Sequence, residues 1–171
     1  MSMEKLSKDV FMERLKNVEL LSLDTDGVLT DGGIYFSDAG EQFRKFNVKD
    51  GMGIKLIQSI GVEIIIISSS TTLAIKHRAS ALGIDRVYLG VEDKKSKIKE
   101  ICAELALSLN QVVHIGDDLN DIPVLNIVGL SITVADAVED VIAIANFVTE
   151  KKGGEGAVRE VCDLIVAAKD A

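Results

Sequence analysis

Short apolar runs alternate along the chain with longer amphipathic segments, and this alternation predicts its secondary structure. The apolar runs have the length of buried strands, whereas the amphipathic segments have the length of helices. The predicted strands lie at 18–23, 62–68, 86–89, 111–115, 130–134 and 146–149. The predicted helices lie at 51–59, 72–82, 94–107, 118–126, 138–144 and 156–168. Such a succession is typical of an α/β fold in which helices cover both faces of a doubly wound, Rossmann-like parallel sheet.

The segment 30–50 interrupts the alternation. Two short runs, 32–36 and 42–46, flank the turn-rich residues 37–40, which predicts a β-hairpin. Because the hairpin follows the first strand directly, we expect it to stand over the edge of the sheet as a flap. Its own domain or neighbouring subunits must then cover its exposed aromatic residues, and the second alternative is favoured because uncovered apolar patches usually mark interfaces. The aromatic residues concerned are Tyr35, Phe36, Phe43 and Phe46.

Length and composition predict one domain with a sizeable core. The chain has 171 residues, of which 47% are hydrophobic. We therefore expect a single domain over 1–171, with the flap at about 30–50 and a C-terminal tail helix at about 155–169. Cys102 and Cys162 both lie in segments with helical patterning, so buried free thiols are expected rather than a disulfide framework or a zinc cluster.

Charge and hydropathy exclude two classes of partner. The formal net charge is −8, so the chain lacks the positive field that binding to nucleic acid requires. Residues 1–16 carry mixed charges, and no run reaches the ~18 apolar residues of a membrane span. We expect a cytoplasmic protein that binds neither nucleic acid nor membrane.

Carboxylates follow two of the predicted strands. Asp24 and Asp26 end the first strand, and three further acids follow the strand at 111–115. Those three acids are Asp117, Asp118 and Asp121. The carboxyl ends of parallel strands line the ligand crevice of such a sheet, so both clusters are expected to share one cation. Oxygen ligands of this number suit Mg²⁺, and the spacing of the acids does not fit a calcium-binding EF-hand loop.

The tight spacing of Asp24 and Asp26 suggests phosphoryl transfer. Residues two apart in a strand point the same way, so Asp24 can attack phosphorus while Asp26 reaches the leaving-group oxygen. Asp26 would first give a proton and then take one from water. The alternative interpretation is that the pair merely caps a turn.

Phosphate binding also needs neutral donors and a positive charge. Ser68 supplies a hydroxyl just before a predicted helix, where free backbone N–H groups favour anions. Lys94 begins the next helix and could reach the same phosphate, with Lys95 as an alternative and a solvated surface position as the competing interpretation of either. His77 and His114 lack metal-ligand spacing and are interpreted as structural.

Four motifs in this order resemble the haloacid dehalogenase superfamily of phosphohydrolases over nearly the whole chain. The motifs are 24–32 (DTDGVLTDG), Ser68, Lys94 and 116–121 (GDDLND). More narrowly, the chain resembles the capless branch that contains the 3-deoxy-D-manno-octulosonate 8-phosphate and nonulosonate 9-phosphate phosphatases. The runs that carry this narrower resemblance are 46–51, 82–84, 128–131 and 153–162.

The resemblance implies a role for each motif residue and no large cap domain. Asp24 would be the nucleophile and Asp26 the general acid and base. Mg²⁺ would be held by Asp24, the Asp26 carbonyl and Asp117, with Asp118 and Asp121 as supporting acids. Ser68 and Lys94 would bind the phosphoryl group. The candidates for contacts with the sugar acid are Lys49, Gly51, Ser69, Arg78 and Gly154.

The resemblance also implies homotetramers and a role in lipopolysaccharide biosynthesis. In the tetramer, the flap of one subunit and the Gly-Gly segment of another, here Gly153 and Gly154, would help to close each active site. The expected reaction is Mg²⁺-dependent hydrolysis of the terminal phosphate of a 2-keto-3-deoxy sugar acid through an aspartyl-phosphate intermediate.

Two departures leave the exact substrate open. Ser69 and Ser70 stand where the octulosonate phosphatases usually have glycine and arginine, and losing a guanidinium removes a partner for an anionic group. Glu155 stands where those enzymes often carry a basic residue and the nonulosonate branch often has glutamate. A phosphatase for another small phosphorylated metabolite is therefore an alternative.

Two alternatives come from other classes. One is a non-catalytic relative that serves as an oligomerisation or regulatory module, against which the complete set of Asp24, Asp26, Lys94 and Asp117 argues. The other is a phosphorelay receiver domain, whose acidic pair should precede the phosphoacceptor on separate strands. The tight Asp-x-Asp spacing does not fit a receiver domain.

Overall fold

The structure, a computed structural model, describes residues 6–171. Residues 1–5 belong both to the predicted domain 1–171 and to the charged N-terminal segment 1–16, and they lie outside the described residues. The helices are α1 (Lys8–Lys16), α2 (Val48–Ser59), α3 (Leu73–Ala81), α4 (Lys94–Glu104), α5 (Ile122–Leu125), α6 (Glu139–Ile144) and α7 (Ala157–Asp170). The strands are β1 (Leu20–Leu23), β2 (Tyr35–Phe36), β3 (Gln42–Phe43), β4 (Glu63–Ile67), β5 (Arg86–Tyr88), β6 (Val112–Ile115), β7 (Leu130–Thr133) and β8 (Phe147–Val148).

Six of the strands form one parallel sheet in the order β5-β4-β1-β6-β7-β8, which confirms the predicted fold class. The chain runs outward from β1 through β4 to β5 and then returns to β6 on the other side of β1. In register, Leu23 of β1 lies between Ile66 of β4 and Ile115 of β6. The carboxyl ends of β1, β4 and β6 are therefore neighbours at the point where strand order reverses.

Helices cover both faces of the sheet, which explains why its strands are nearly continuous apolar runs. All four residues of β1 and all four of β6 are buried. Helix α7 places a stripe of apolar residues in the core on the same side as α1 and α2, and Cys162 belongs to this stripe. Cys102 lies in the smaller core on the other side. Both cysteines are free and buried, as predicted.

Asp50 links α2 to the start of α7. Its side chain is buried, and Oδ1 accepts a hydrogen bond of 2.8 Å from the backbone N–H of Arg159. Gly156, the residue before α7, has no side chain to cap the helix, so the carboxylate of Asp50 supplies that function from another helix. Burial raises the pKa of Asp50, and hydrogen bonds from Arg159 and Gly156 oppose the shift.

Several predicted boundaries differ from the structure. Helix α1 was not predicted. Helix α2 begins three residues earlier than expected because the side chain of Asn47 accepts a hydrogen bond from Lys49 N–H and caps it. The predicted helix at 118–126 is divided into a 3-10 turn at 119–121 and the short α5.

The hairpin exists, but its paired strands are only two residues long each. Tyr35 is paired with Phe43 and Phe36 with Gln42 in antiparallel register. Tyr35, Phe36 and Phe43 are exposed by 47%, 64% and 53%, as expected of an uncovered flap. The prediction was wrong for Phe46, which is half-buried against the main core and forms a β-bridge with Thr30.

None of the helices between residues 6 and 171 combines the length and the apolar character that crossing a bilayer requires.

Candidate active site

Three buried or half-buried carboxylates meet at the carboxyl ends of β1 and β6. Asp24 follows β1 and continues its ladder, since Asp24 N–H donates to the carbonyl of Ile115 at 3.0 Å. Asp117 follows β6 after Gly116. One oxygen from each of Asp24, Asp117 and Asp121 lies within 4.8 Å of the others. The structure thus brings together the two acidic clusters that the sequence placed on separate strands.

Lys94 connects two of these acids. It is the first residue of α4, and its ammonium is completely buried. Nζ lies 2.9 Å from Asp24 Oδ1 and 2.7 Å from Asp121 Oδ1. Burial opposes the charged form of Lys94, but the two carboxylates outweigh it and raise the pKa of the lysine. Lys94 therefore carries a fixed positive charge beside Asp24 and is not a solvated surface residue.

Asp121 uses both of its oxygens within the protein. Oδ1 accepts from Lys94 and lies 3.2 Å from His114 Nε2. Oδ2 accepts from the backbone N–H groups of Asp117 and Asp118 at 3.1 and 3.4 Å. Although burial acts to raise the pKa of Asp121, His114 and Lys94 hold it well below its usual value. Asp121 therefore stays ionised and orients the loop that carries Asp117.

The two remaining carboxylates of this group hold protons more tightly than an ordinary aspartate. Burial, together with the charge of Asp121, raises the pKa of Asp24 to about 7, although Lys94 opposes the shift. Burial and the charges of Asp24 and Asp121 raise the pKa of Asp117 to about 8. Asp117 Oδ1 is buried without a hydrogen-bond partner. An orphaned carboxylate oxygen beside a second acid fits a divalent cation that prefers oxygen ligands.

Asp118 and the histidines have structural contacts. The exposed Asp118 accepts a hydrogen bond of 2.7 Å from Leu119 N–H and caps the 3-10 turn. His114 is completely buried in β6, and its Nδ1 lies 2.9 Å from Ser22 Oγ. His77 lies on α3 and does not belong to the acid cluster of Asp24, Asp117 and Asp121.

Asp26 lies at the same strand end, two residues after Asp24. The turn that follows needs glycine, because Gly27 has a φ of +84° and a Cβ there would lie 2.0 Å from Asp117 Oδ2. Asp26 Oδ1 accepts a hydrogen bond of 2.7 Å from Nε of Arg44, which follows β3. Sequence reasoning did not identify Arg44, because only the folded hairpin brings it to Asp26.

A small cavity of about 150 Å³ connects the acids with the loop after β4. It is lined by Asp24, Asp26, Ser68, Ser69, Ser70, Asp117, Asp118 and Asn120. Ser68 is buried, and its hydroxyl accepts from Ser70 N–H at 3.2 Å. The larger cleft beside it, about 720 Å³, shares Asp26, Ser69 and Ser70 with the small cavity and extends between the hairpin and α3.

Three of the residues predicted to contact the sugar acid lie outside the cavity around Asp24 in their own chain. Arg78 Nη2 donates to the carbonyl of Asn47 at 2.9 Å, and its guanidinium lies over the ring of Phe46. Gly51 and Arg78 line a separate surface pocket on α2 and α3. Lys49 is exposed at the start of α2. None of the three lines the cavity around Asp24.

The Gly153–Gly154 segment packs inside its own chain. A Cβ on Gly153 would lie 1.7 Å from the carbonyl oxygen of Gly27, so only glycine allows this approach. Gly154 N–H donates to the carbonyl of Val28 at 3.0 Å, and Asn47 Nδ2 donates to the carbonyl of Gly154. Within their own chain these glycines support the loop that follows Asp26, and their contribution to a neighbouring subunit stays a prediction.

Comparison with known proteins agrees with this geometry. The family description of haloacid dehalogenase-like hydrolases matches residues 90–161. The 3-deoxy-D-manno-octulosonate 8-phosphate phosphatase KdsC of Yersinia pestis is 44% identical over 95% of this chain and 87% of its own. The KdsC of Escherichia coli K12 is 42% identical over 96% of this chain and 87% of its own.

Solved structures show the same likeness. The crystal structure of the Y. pestis phosphatase has a TM-score of 0.93 with 44% identity, covering 96% of this chain and 89% of that chain. The Moraxella catarrhalis phosphatase, solved with a magnesium ion, a phosphate ion and a KDO molecule, has a TM-score of 0.94 with 32% identity, covering 96% of this chain and 94% of that chain.

Proposed function

The chain belongs to the haloacid dehalogenase-like hydrolases, and we propose that it is a Mg²⁺-dependent phosphatase for the terminal phosphate of a 2-keto-3-deoxy sugar acid. The preferred substrate is 3-deoxy-D-manno-octulosonate 8-phosphate, with a related nonulosonate 9-phosphate as the next candidate. Such a reaction belongs to lipopolysaccharide biosynthesis. The relatives described above are named as phosphatases of the first of these two compounds.

The convergence of Asp24 and Asp117 on one small cavity, with the buried Lys94 paired to Asp24 behind it, carries the proposal. Two acids with raised pKa values and an orphaned oxygen fit one divalent cation, and a buried ammonium lies beside them. A phosphate group brings negative charge, which this combination of charges neutralises. A cavity of about 150 Å³ holds a phosphoryl group but not an eight-carbon sugar, so the organic part must extend into the adjoining cleft.

Each residue then has a defined part in the reaction. Asp24, the Asp26 carbonyl and Asp117 would hold Mg²⁺, which would supply positive charge to neutralise the phosphate. A carboxylate oxygen of Asp24 attacks phosphorus, and the bond between phosphorus and the sugar oxygen breaks. Asp26 donates its proton to the departing oxygen, which leaves as the sugar hydroxyl.

The second half of the reaction regenerates Asp24. Asp26 takes a proton from water, and the oxygen of that water attacks the phosphorus of the aspartyl phosphate. The bond between Asp24 and phosphorus breaks, which releases inorganic phosphate. Throughout, Lys94 holds Asp24 in place through Oδ1, and Ser68 offers its hydroxyl to the phosphoryl oxygens. Asp121 acts by orienting Lys94 and the Asp117 loop.

Release of inorganic phosphate from a panel of phosphorylated compounds tests the proposal. The panel contains the octulosonate 8-phosphate, a nonulosonate 9-phosphate and ordinary sugar phosphates, each with Mg²⁺ and with EDTA. We expect Mg²⁺-dependent turnover with kcat/KM highest for the keto sugar acids. The Asp24→Asn variant should lose on the order of 10⁴-fold or more in kcat. Turnover retained by that variant would exclude Asp24 as the nucleophile.

The same panel separates the second candidate. Ser69 and Ser70 line both the small cavity and the cleft, so the surface that meets the organic group is neutral and polar there. A phosphatase for another small metabolite would show its highest kcat/KM on an ordinary sugar phosphate. Absence of turnover on every phosphomonoester would instead indicate a non-catalytic relative.

We also propose that the protein forms a homotetramer through its hairpin. Three exposed aromatic side chains on one small flap form an apolar surface of the kind that subunits cover. Phe36→Asp combined with Phe43→Asp should give a smaller assembly in light scattering after gel filtration. Val10→Asp, at an exposed apolar position on α1, is the matched control. An unchanged mass for the double variant would remove the hairpin from the interface.

A further inference from the structure

The only hydrogen bond that reaches the carboxylate of Asp26 from residues 6–171 comes from the hairpin. Arg44 Nε donates to Asp26 Oδ1 at 2.7 Å, while no hydrogen bond from this part of the chain reaches Oδ2. The Arg44 side chain is 2% exposed, whereas that of Asp26 is 31% exposed. A nearly buried guanidinium thus holds one oxygen of a partly open carboxylate and leaves the other for chemistry.

Arg44 is itself fixed by its neighbours in the hairpin. Its Nη1 donates to the carbonyl of Phe43 at 3.2 Å, and its Nη2 donates to Gln42 Oε1 at 3.4 Å. The planar guanidinium therefore cannot rotate without breaking several hydrogen bonds at once. At the base of the hairpin, Thr30 and Phe46 form a β-bridge that ties both arms to the loop after Asp26.

We propose that Arg44 is the positioning residue for Asp26, so that the hairpin sets the geometry of proton transfer to the leaving group. The proposal rests on the proposed phosphatase function. Proton transfer requires Asp26 within about 3.2 Å of the departing oxygen, and a small misplacement costs much of its contribution. Arg44 restricts the side-chain rotation of Asp26 by holding Oδ1, and the free Oδ2 then donates the proton.

Leaving groups of different acidity distinguish this role from a general contribution to folding. A sugar alkoxide is a poor leaving group and needs a proton, whereas p-nitrophenolate leaves well without one. In both cases the bond between phosphorus and oxygen breaks, and the electron pair goes to the departing oxygen. Only the alkoxide must receive the proton of Asp26 at the same time.

The experiment measures the first chemical step of Arg44→Ala by rapid quench, with Mg²⁺ present and enzyme in excess over substrate. An alkyl sugar phosphate accepted by the wild type is compared with p-nitrophenyl phosphate. We expect the rate on the alkyl substrate to fall about 10- to 100-fold and the rate on the aryl substrate to fall less than about 3-fold. Arg44→Lys should recover most of the lost rate, because an ammonium can still bind Oδ1.

The neighbouring Lys45→Ala variant is the matched control. It removes a positive charge from the same hairpin, where Lys45 is exposed and pairs with Asp31 at 3.4 Å, and both rates should match the wild type. If Arg44→Ala does not fold, Arg44→Gln replaces it in the same comparison.

Equal losses on the two substrates, or no loss on either, would overturn the positioning role while leaving the phosphatase function intact. A wild-type protein that cleaves no phosphomonoester would overturn both.

Discussion

Lys94 Nζ lies 2.9 Å from Asp24 Oδ1, inside a site where neither the ammonium nor most of the carboxylate reaches solvent. The same nitrogen lies 2.7 Å from Asp121 Oδ1. One positive charge therefore compensates two buried acids. Because removing one member of a buried ion pair leaves the rest uncompensated, this cluster is sensitive to single substitutions.

We predict that Lys94→Met lowers the free energy of unfolding by about 3–5 kcal/mol at neutral pH, because two buried carboxylates lose their counter-charge. Urea unfolding measures the change. Lys95→Met is the matched control, since Lys95 is only half-buried and forms no ion pair with the acids of the site. A similar loss in both variants would contradict the compensating role of Lys94.

We predict that Mg²⁺ binds more tightly as the pH rises from 6 to 8. Asp24 and Asp117 have pKa values of about 7 and about 8, so below this range the cation must displace protons from its own ligands. The apparent affinity should rise about tenfold per pH unit for each proton displaced. Calorimetry in buffers of different ionisation enthalpy measures both the affinity and the proton release. A Mg²⁺ affinity that does not change between pH 6 and 8 would contradict the raised pKa values of Asp24 and Asp117.

The metal-free protein should become less stable as the pH rises. The folded-state pKa values of Asp24 and Asp117 lie above the ordinary value of 3.8, so between pH 4 and 8 the folded state binds more protons than the unfolded chain. Stability is therefore lost as the pH rises through this window. Thermal unfolding in EDTA measures the trend, and Asp117→Asn should flatten it. A melting temperature that increases from pH 6 to 8 in EDTA would contradict the predicted loss of stability with rising pH.

We predict that Gly153→Ala lowers the free energy of unfolding by about 1–3 kcal/mol, because its Cβ would collide with the backbone carbonyl of Gly27. For a chain of this length the melting temperature should fall by about 2–4 °C per kcal/mol. Turnover should fall as well, since the displaced loop carries the Asp26 carbonyl. Glu155→Ala, at an exposed position in the same loop, should change neither quantity.

We predict that Asp50→Ala destabilises the fold by about 1–2 kcal/mol, because the N-terminus of α7 loses the acceptor for Arg159 N–H. Asp163→Ala on the same helix removes an exposed carboxylate paired with Arg159 and should cost less than about 1 kcal/mol. Urea unfolding compares the two variants. Equal costs would show that Asp50 does not cap α7.

The sequence predicts the sheet well because burial on both faces produces the apolar runs. The same physical reason places the acids correctly, since the carboxyl ends of parallel strands meet at one edge. Helix α1 was missed because only Phe11 and Leu15 in its charged nine residues are buried. Its position depends on packing against α7, and the local sequence pattern carries no information about this distant contact.

The hairpin shows more clearly what the local sequence pattern cannot predict. Its aromatic runs predict the turn, but side-chain orientation depends on the register, and the paired strands contain only two residues each. Phe46 was therefore assigned to the exposed flap although it packs against the core. Arg44 carries no sequence signal of its own, because the flap must fold back over β1 before the guanidinium meets Asp26.

The contact of Gly153 with Gly27 joins positions far apart in the sequence, and α7 then packs against α1 and α2. During synthesis, the loop that carries the Asp26 carbonyl lacks this support until the ribosome has translated past Gly153. Nascent chains that stall before Gly153 should therefore be incompletely assembled targets for chaperones and proteases, even though β1, β4 and β6 have already been made.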